Sequence, residues 1–372
     1  MVLEEHLGYI SDLIRLDRFQ QAIARTVSPG DLVVDIGCGL GVLGLMCLKS
    51  GAAHCWGIDC TAAIEIAHET MTRSGLSDRY SCIREQSFRA ILPQPVDLII
   101  CDHVGYFGID YGIIELMNDA RHRFLKPAGR AVPSRIKLML AGVSSNECRS
   151  KSERWHASDI PVDYRWLREY GVNTKQGHTF RPSDLCTQPA ILGTIDLLSS
   201  NPELFSFKAK LAASRDGVLD GLAGWFDCQL ADDVWMTNSP LEAGRIDRDQ
   251  AFLPFEKPIE ISAGDSVDVS VMIRHDTGLI AWTVRDPRSG KQRKQSNWAS
   301  LIVSKANLTQ SPSKLARLSP SGRARQILFE YIDGTQTSKE IELAILNDHP
   351  DLLPSSKEIS RFVQHELARS TE

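Results

Sequence analysis

The sequence predicts a parallel α/β domain, then an antiparallel β domain with an inserted arm, and finally a small helical or winged-helix domain. Strand-like and helix-like segments alternate as far as about residue 133. Short apolar segments separated by proline, glycine and aspartate continue from there to about residue 286. A glycine-rich turn, Gly37–Gly41, joins the first strand to the next helix, as is common in α/β sheets that bind ligands.

The first predicted domain, residues 1–133, begins with an amphipathic helix at 5–27 that ends at Ser28-Pro29-Gly30-Asp31. Apolar runs then alternate with segments whose apolar residues recur at helical spacing. Because helices would connect the strands, the sheet should be parallel and doubly wound. The strands are predicted at 32–36, 54–58, 80–83 and 96–101, and the helices at 41–50, 61–74 and 111–125.

The second predicted domain, residues 134–286, has the sequence texture of an antiparallel barrel or sandwich. A polar insertion at about 146–185 interrupts it and carries Trp155, Tyr164, Trp166 and Tyr170. An aromatic-bearing arm usually packs on something, and a second copy of the chain is one candidate. The strands are predicted at 136–143, 190–198, 204–212, 221–229, 259–262, 266–274 and 278–284.

The last part of the chain is predicted to be a linker at 287–317, rich in Lys, Arg, Ser and Gln, and a small domain at 318–372. Three short helices are expected in that domain. Thr337-Ser338-Lys339-Glu340 has the pattern of a helix-capping sequence and marks the start of the second of them.

Composition narrows the function classes. Lys and Arg number 42 against 47 Asp and Glu, so no basic field favours nucleic acid as a partner. No apolar run is long enough to span a bilayer, and the acidic start MVLEEH is unlike a signal peptide, so we expect a soluble, cytoplasmic protein. The nine cysteines form no C-x-x-C pair, which argues against a metal site or a disulfide framework.

The turn after the first strand is the strongest candidate ligand site. Its pattern is G-x-G-x-G with Asp35 two residues ahead, unlike the G-x-G-x-x-G of nicotinamide binders. Bare glycine backbone allows close approach of a ligand, and an acid ending the next strand suits a ribose diol. A tight turn with no ligand is the alternative, and Cys38 is interpreted as a small packing residue rather than a nucleophile. The candidate cofactor-binding residues here are Asp35, Gly37, Cys38, Gly39, Gly41 and Asp59.

These features together resemble the protein arginine methyltransferase family. The resemblance implies a Rossmann-like class I methyltransferase domain, a β-barrel with a dimerisation arm, and S-adenosylmethionine (SAM) as cofactor. It also implies that Arg15 holds the SAM carboxylate, that Asp35 lies near the SAM ammonium and that Asp59 binds the ribose. The matching patches are His6–Ile23, Val33–Gly41, Gly51–Ala53, Gly57–Asp59, Val96–Ile100 and Trp225–Asp227.

The substrate loop departs from the family pattern S-E-W-M-G-Y-x-x-x-Y-E, whose two glutamates embrace a guanidinium. Asp102 replaces the first glutamate, and Tyr106 matches the pattern. Tyr111 falls on the second glutamate, with Asp110 just before it, and either residue could take that role. We therefore predict Asp102, Asp110, Tyr111 and Tyr106 as the catalytic set, with His103 more often a packing residue than a base.

A second family motif, T-H-W, aligns with Ile246-Asp247-Arg248. Arg248 would repel a substrate guanidinium or pair with a substrate carboxylate. The leading hypothesis is methyl transfer to a guanidino nitrogen of a protein, peptide or arginine-like small molecule. The alternatives are N-, O- or C-methylation of another acceptor, and a SAM-binding scaffold without activity. A homodimer is expected, and a weak resemblance of residues 318–337 to PqqD-like domains implies peptide binding.

Overall fold

The computed structural model describes residues 3–301 and 317–371. Residues 1–301 form one compact unit and residues 302–372 a second. The predicted boundary at residue 133 lies inside the first unit, where a single hydrophobic core includes residues of both predicted domains, such as Ile36 and Phe226. Val132–Pro133 is a cis peptide bond. No helix in the described residues is long and apolar enough to cross a bilayer.

Five parallel strands form the first sheet, in the order β3-β2-β1-β4-β5. The apolar runs predicted as strands form β1 to β4, and a fifth strand follows the last helix of the domain. The strands are β1 Leu32–Ile36, β2 His54–Ile58, β3 Tyr80–Ile83, β4 Val96–Cys101 and β5 Leu125–Val132. The helices are α1 Leu3–Ser11, α2 Leu13–Thr26, α3 Val42–Lys49, α4 Ala63–Arg73 and α5 Ile113–Arg123.

The amphipathic helix predicted at 5–27 is two helices, α1 and α2. Asp12 separates them, because its side chain accepts a hydrogen bond from the Arg15 backbone N–H at 3.0 Å and caps α2. The helix predicted at 111–125 is shorter, since Gly112 precedes α5 with φ +74° and β5 begins at Leu125.

Two antiparallel sheets follow Pro133, and in the described residues they do not join into one hydrogen-bonded barrel. The first has the order β7-β12-β10-β6-β8 with β11 beside β10, and the second the order β15-β14-β13-β9. Trp282 links them, because its buried indole N–H donates to the Pro254 carbonyl at 2.9 Å. The strands are β6 Arg135–Val143, β7 Gln176–His178, β8 Ala190–Asp196, β9 Leu204–Ala212, β10 Gly217–Ala231, β11 Val234–Thr237, β12 Gln250–Ile261, β13 Ser266–Arg274, β14 Leu279–Arg285 and β15 Gln292–Ser296.

The arm is the segment between β6 and β8. It contains α6 Asn146–Glu153, a 3-10 helix at Val162–Leu167 and α7 Arg168–Gly171. Arg168 ties the arm to itself and to β12, since it pairs with Glu153 and donates to the Glu256 carbonyl. Val162, Tyr164 and Trp166 remain exposed.

The linker predicted at 287–317 begins too early. Residues 292–296 form β15, which pairs with β14, and a short helical turn at Asn297–Ser300 follows. The prediction failed because β15 is a polar edge strand in which only Gln295 is buried. Residues 302–316 lie outside the described residues.

The second unit is helical, with α8 Pro320–Glu330, α9 Ser338–Asp348 and α10 Ser356–Ser370. A helical domain and a winged-helix domain were the two alternatives predicted. Residues 317–371 contain no strand, so the unit is helical. The predicted cap at Thr337 is present, because its side chain and that of Glu340 bond each other's backbone N–H. Leu328, Ile341, Ile345, Ile359 and Val363 form its core.

Candidate active site

Three loops meet at the carboxyl ends of β1, β2 and β4. β1 lies between β2 and β4, so the chain leaves the sheet in opposite directions on either side of it, which is where open α/β sheets bind ligands. A cavity of about 520 Å³ lies there. Its wall includes residues of all three loops and of α1, among them His6, Tyr9, Gly37, Asp59 and Asp102.

The glycine turn after β1 forms one wall of this cavity. Gly37, Gly39 and Gly41 have φ of +65°, +52° and +78°, a left-handed conformation that residues with a Cβ seldom adopt. A Cβ on Gly37 would overlap the imidazole of His103, and one on Gly39 would lie 3.2 Å from the ring of His6. The sequence therefore needs glycine here for both conformation and space.

Asp35 lies beneath this turn and is only 1% exposed. Its Oδ2 accepts a hydrogen bond from the Gly44 backbone N–H at 2.9 Å. Burial raises the pKa of Asp35 to about 7, and the nearby carboxylate of Asp59 adds to the rise, against the hydrogen bond from Gly44. A cation bound beside Asp35 would stabilise its ionised form.

The raised pKa of Asp35 predicts a pH-dependent stability. Between pH 4 and 7 the folded protein keeps a proton that the unfolded chain has released, so this group's contribution to the free energy of unfolding falls as pH rises. By pH 7 the contribution of Asp35 to the free energy of unfolding has fallen by about 4 kcal/mol, and above that pH it is constant. Asp35→Asn should remove that slope, since asparagine still accepts from Gly44. Urea unfolding at pH 5 and 8 measures it, with the exposed Asp78→Asn as control; an unchanged slope in Asp35→Asn would contradict the prediction.

Asp59 ends β2 and faces the same space. Its Oδ2 accepts from the Gly39 N–H at 2.9 Å, and its Oδ1 accepts from the backbone N–H and hydroxyl of Thr61 at 2.8 and 2.7 Å. A second cavity of about 770 Å³ shares Gly37, Asp59, His103 and Tyr111 with the first. The two cavities are therefore adjacent along the ends of the strands, and together they are called the trough below.

Arg15 and Asp102 form an ion pair in the wall of the first cavity. Arg15 is 5% exposed, and its Nε donates to Asp102 Oδ2 at 2.5 Å while its Nη1 donates to the Tyr9 carbonyl at 3.0 Å. Arg248 approaches the same oxygen, with Nη2 at 4.0 Å. Asp102 Oδ1 is buried and has no hydrogen-bond partner among residues 3–301 and 317–371. One oxygen of Asp102 is therefore left to accept from a ligand in the cavity.

Asp110 has a different environment. It forms an ion pair with Lys175 of the arm and accepts from the Phe107 backbone N–H, and its side chain is 4% exposed. The Lys175 ammonium also lies 4.4 Å from the centre of the Tyr106 ring. Burial lowers the pKa of Lys175 to about 8 and raises the pKa of Tyr106. Asp110 is thus held by a cation of this chain itself.

The four predicted catalytic residues do not all line one cavity, although Tyr111 lines both. Asp102 and Tyr111 line the 520 Å³ cavity, and Tyr111 is about half exposed. Asp110 lines the second cavity, and Tyr106 lines neither of the two. Of the predicted cofactor-binding residues, all but Gly41 line the first cavity; Gly41 begins α3 behind it. Cys38 is buried, and burial raises the pKa of its thiol, which fits a packing residue.

Known proteins with similar sequences are methyltransferases. The family model of ribosomal protein L11 methyltransferase matches residues 19–150. Protein arginine N-methyltransferase 1.1 of Arabidopsis thaliana is 27% identical over 228 residues, which cover 60% of this chain and 58% of that protein. Protein arginine N-methyltransferase 1 of Dictyostelium discoideum is 23% identical over 270 residues, covering 70% and 79%. The chain is similar to protein arginine N-methyltransferases over 60–70% of its length.

The same fold occurs in two solved structures of arginine methyltransferases. The enzyme–prozyme complex of Trypanosoma brucei PRMT1 with AdoHcy superposes with a TM-score of 0.72 at 20% identity, covering 78% of this chain and 96% of that one. Protein arginine methyltransferase 10 of Arabidopsis thaliana gives 0.69 at 20% identity, covering 79% and 98%. The predicted fold class is confirmed.

Sequence reasoning assigned no role to several residues of this site. His6 and Tyr9 of α1 line the cavity. Their nearness in sequence to Arg15 is the feature that could have predicted this. Lys175 reaches Asp110 from the arm, where nothing in the surrounding polar sequence marks it. His275 lies at the second cavity, and its Nδ1 is 2.7 Å from Glu115 Oε1.

Proposed function

We propose that this chain is a SAM-dependent methyltransferase of the arginine methyltransferase type. The proposed reaction transfers a methyl group to a guanidino nitrogen of a protein, peptide or arginine-like small molecule. The observation that supports it most directly is the cavity at the ends of β1, β2 and β4, walled by bare glycine backbone and bordered by Asp35, Asp59 and the half-satisfied carboxylate of Asp102. The matched region spans only 58% of the Arabidopsis relative, so the activity is inferred from this site.

The residues present fit SAM. The glycine turn leaves room for the methionine part, which any Cβ on Gly37 would restrict. Asp35, with a pKa of about 7, suits an ammonium group, and the partly exposed Asp59 can exchange its bonds to Thr61 and Gly39 for bonds to a diol. Arg15 can share its guanidinium between Asp102 and a carboxylate. Bound SAM supplies an electrophilic methyl group on sulfur.

The chain contributes alignment and charge. With SAM held by these residues, its methyl group would pass from sulfur to the acceptor nitrogen, AdoHcy would be the leaving group, and the proton of that nitrogen would pass to solvent. Asp102 Oδ1 can accept an N–H of the acceptor and so fix which nitrogen faces the donor. Its negative charge stabilises an acceptor that becomes more cationic before the proton leaves.

The test uses purified protein, isotopically labelled SAM and a panel of arginine compounds, with products identified by mass. We expect a mass increase of one methyl group on a guanidino compound. SAM turnover without methylation of any arginine-containing acceptor would rule out the arginine assignment.

A non-arginine acceptor in peptide or small-molecule biosynthesis is the second candidate. It is supported by the cations that already neutralise both carboxylates of the loop. Arg15 and Arg248 lie beside Asp102, and Lys175 pairs with Asp110. If the acceptor is not an arginine, the double variant Asp102→Glu/Tyr111→Glu should lose activity on the native acceptor. Unchanged turnover in that variant would count against it.

Homodimerisation through the arm is a further part of the proposal. The exposed Val162, Tyr164 and Trp166 support it, as does the heterotetrameric complex of the Trypanosoma brucei protein. Sedimentation of the wild type and of Tyr164→Ser/Trp166→Ser should show a dimer that the variant weakens; a monomeric wild type would refute it.

We also propose that the second unit binds peptide and that the protein is cytoplasmic. Leu318, Phe329 and Leu343 expose apolar side chains on that unit. All nine cysteines are free thiols, which supports a reducing compartment. In the full chain, Phe329→Ser should raise KM for a peptide acceptor, and fractionation of cells that produce the protein locates it.

A further inference from the structure

Arg248 has hydrogen-bonding capacity that the described part of the chain does not use. Arg248 lies in the loop between β11 and β12, and its side chain is 11% exposed. Nη1 donates to the Gly105 carbonyl at 3.2 Å, and Nη2 lies 4.0 Å from Asp102 Oδ2. Nε makes no hydrogen bond within the described residues. A guanidinium has five N–H donors in a planar fork, so most of the donors of Arg248 can still bind an anion.

Arg248 also makes the charge around Asp102 unfavourable to a bare cation. Asp102 already accepts from Arg15 at 2.5 Å, and Arg248 supplies a second positive charge beside it. The other acid of the loop, Asp110, is paired with Lys175. Arg15, Arg248 and Lys175 thus offset the two carboxylates of the loop. A guanidinium entering alone therefore gains less from Asp102 than it would from an unpaired carboxylate.

We propose that Arg248 is a specificity-determining residue that binds a carboxylate of the acceptor. The favoured acceptor is then a guanidino group with an acidic group next to it, for example an arginine flanked by a glutamate. Its N–H donates to the unpartnered Asp102 Oδ1 while its carboxylate takes the unused donors of Arg248. This inference rests on the proposed guanidino acceptor.

The test measures binding separately from catalysis. Two capped pentapeptides, which differ only in a glutamate or a glutamine beside one arginine, are titrated against the full chain saturated with AdoHcy. We expect the wild type to bind the glutamate peptide at least tenfold more tightly. Arg248→Gln should abolish this preference and bind the glutamine peptide more tightly than the wild type does.

Two further variants serve as controls. Arg248→Lys keeps the charge but loses the fork, and should retain part of the preference. Arg285→Gln removes a charge from the exposed end of β14 and should bind both peptides as the wild type does. Thermal melts verify that each variant is folded; Asp102 keeps its bond to Arg15 in all of them.

The outcomes are distinguishable. Equal binding of the two peptides by the wild type, or an unchanged preference in Arg248→Gln, overturns the inference even if arginine is methylated. A preference that Arg248→Gln abolishes supports the inference, and if the labelled-SAM assay then yields no methylarginine, the proposed reaction fails while the role of Arg248 in binding stands.

Discussion

Gly37→Ala is expected to lower the affinity for SAM and AdoHcy by at least a hundredfold. The new Cβ would overlap the imidazole of His103, and φ of +65° disfavours any side chain. Because Gly37 and His103 both line the trough, the ring can move only by changing the wall against which the ligand is proposed to lie. Titration calorimetry with AdoHcy measures the loss directly.

Gly30→Ala is the matched control. Gly30 also has positive φ, +90°, but a Cβ there would meet nothing within 4 Å. Its backbone penalty of about 1–2 kcal/mol should lower stability without changing the affinity for AdoHcy. If Gly37→Ala acts through His103, the double variant Gly37→Ala/His103→Ala should recover much of the affinity. Wild-type affinity in Gly37→Ala would mean that the ligand does not lie along the turn.

The parallel sheet could be predicted from sequence because burial on both faces leaves a direct signal. β1 and β4 are apolar runs that end in polar loops, and both strands were predicted within the bounds found. β12 shows the opposite case. Pro254 and Pro258 interrupt its apolar pattern, so only its end at 259–262 was predicted, yet the strand runs from Gln250 to Ile261 and its Pro254 carbonyl bonds Trp282 of β14.

The sequence predicted residues that lie together in the proposed cofactor half of the site, whereas it did not predict the ion pairs of the proposed acceptor half. Asp35, the glycines and Asp59 lie close together in sequence, and their spacing alone sets their geometry. The pairing of Asp102 with Arg15 joins residues 87 positions apart, and Lys175 reaches Asp110 across 65. Which cation neutralises which acid depends on tertiary packing, and residue types cannot reveal it.

Asp102→Asn is expected to abolish methyl transfer while SAM is still bound. Asparagine has the shape of aspartate but no charge, so it neither stabilises a cationic acceptor nor opposes the positive charges of Arg15 and Arg248. Loss of one well-placed electrostatic contact typically costs 10² to 10³ in kcat, about 2.7–4 kcal/mol. Steady-state kinetics with labelled SAM measures this, and Asp247→Asn, which alters an exposed acid next to Arg248, should retain wild-type activity.

Unfolding measurements distinguish a loss of catalysis in Asp102→Asn from a loss of folded protein. Removing one partner of a buried ion pair usually destabilises a protein by about 3–5 kcal/mol, because the other charge remains buried. Asp102→Asn should therefore also unfold at lower urea concentration, and Asp102→Asn/Arg248→Gln should regain part of that stability because one of the two stranded cations is gone. Activity should not return with it, since no carboxylate faces the acceptor. If the double variant regained turnover along with stability, Asp102 would be a structural counter-ion rather than a residue that acts on the acceptor.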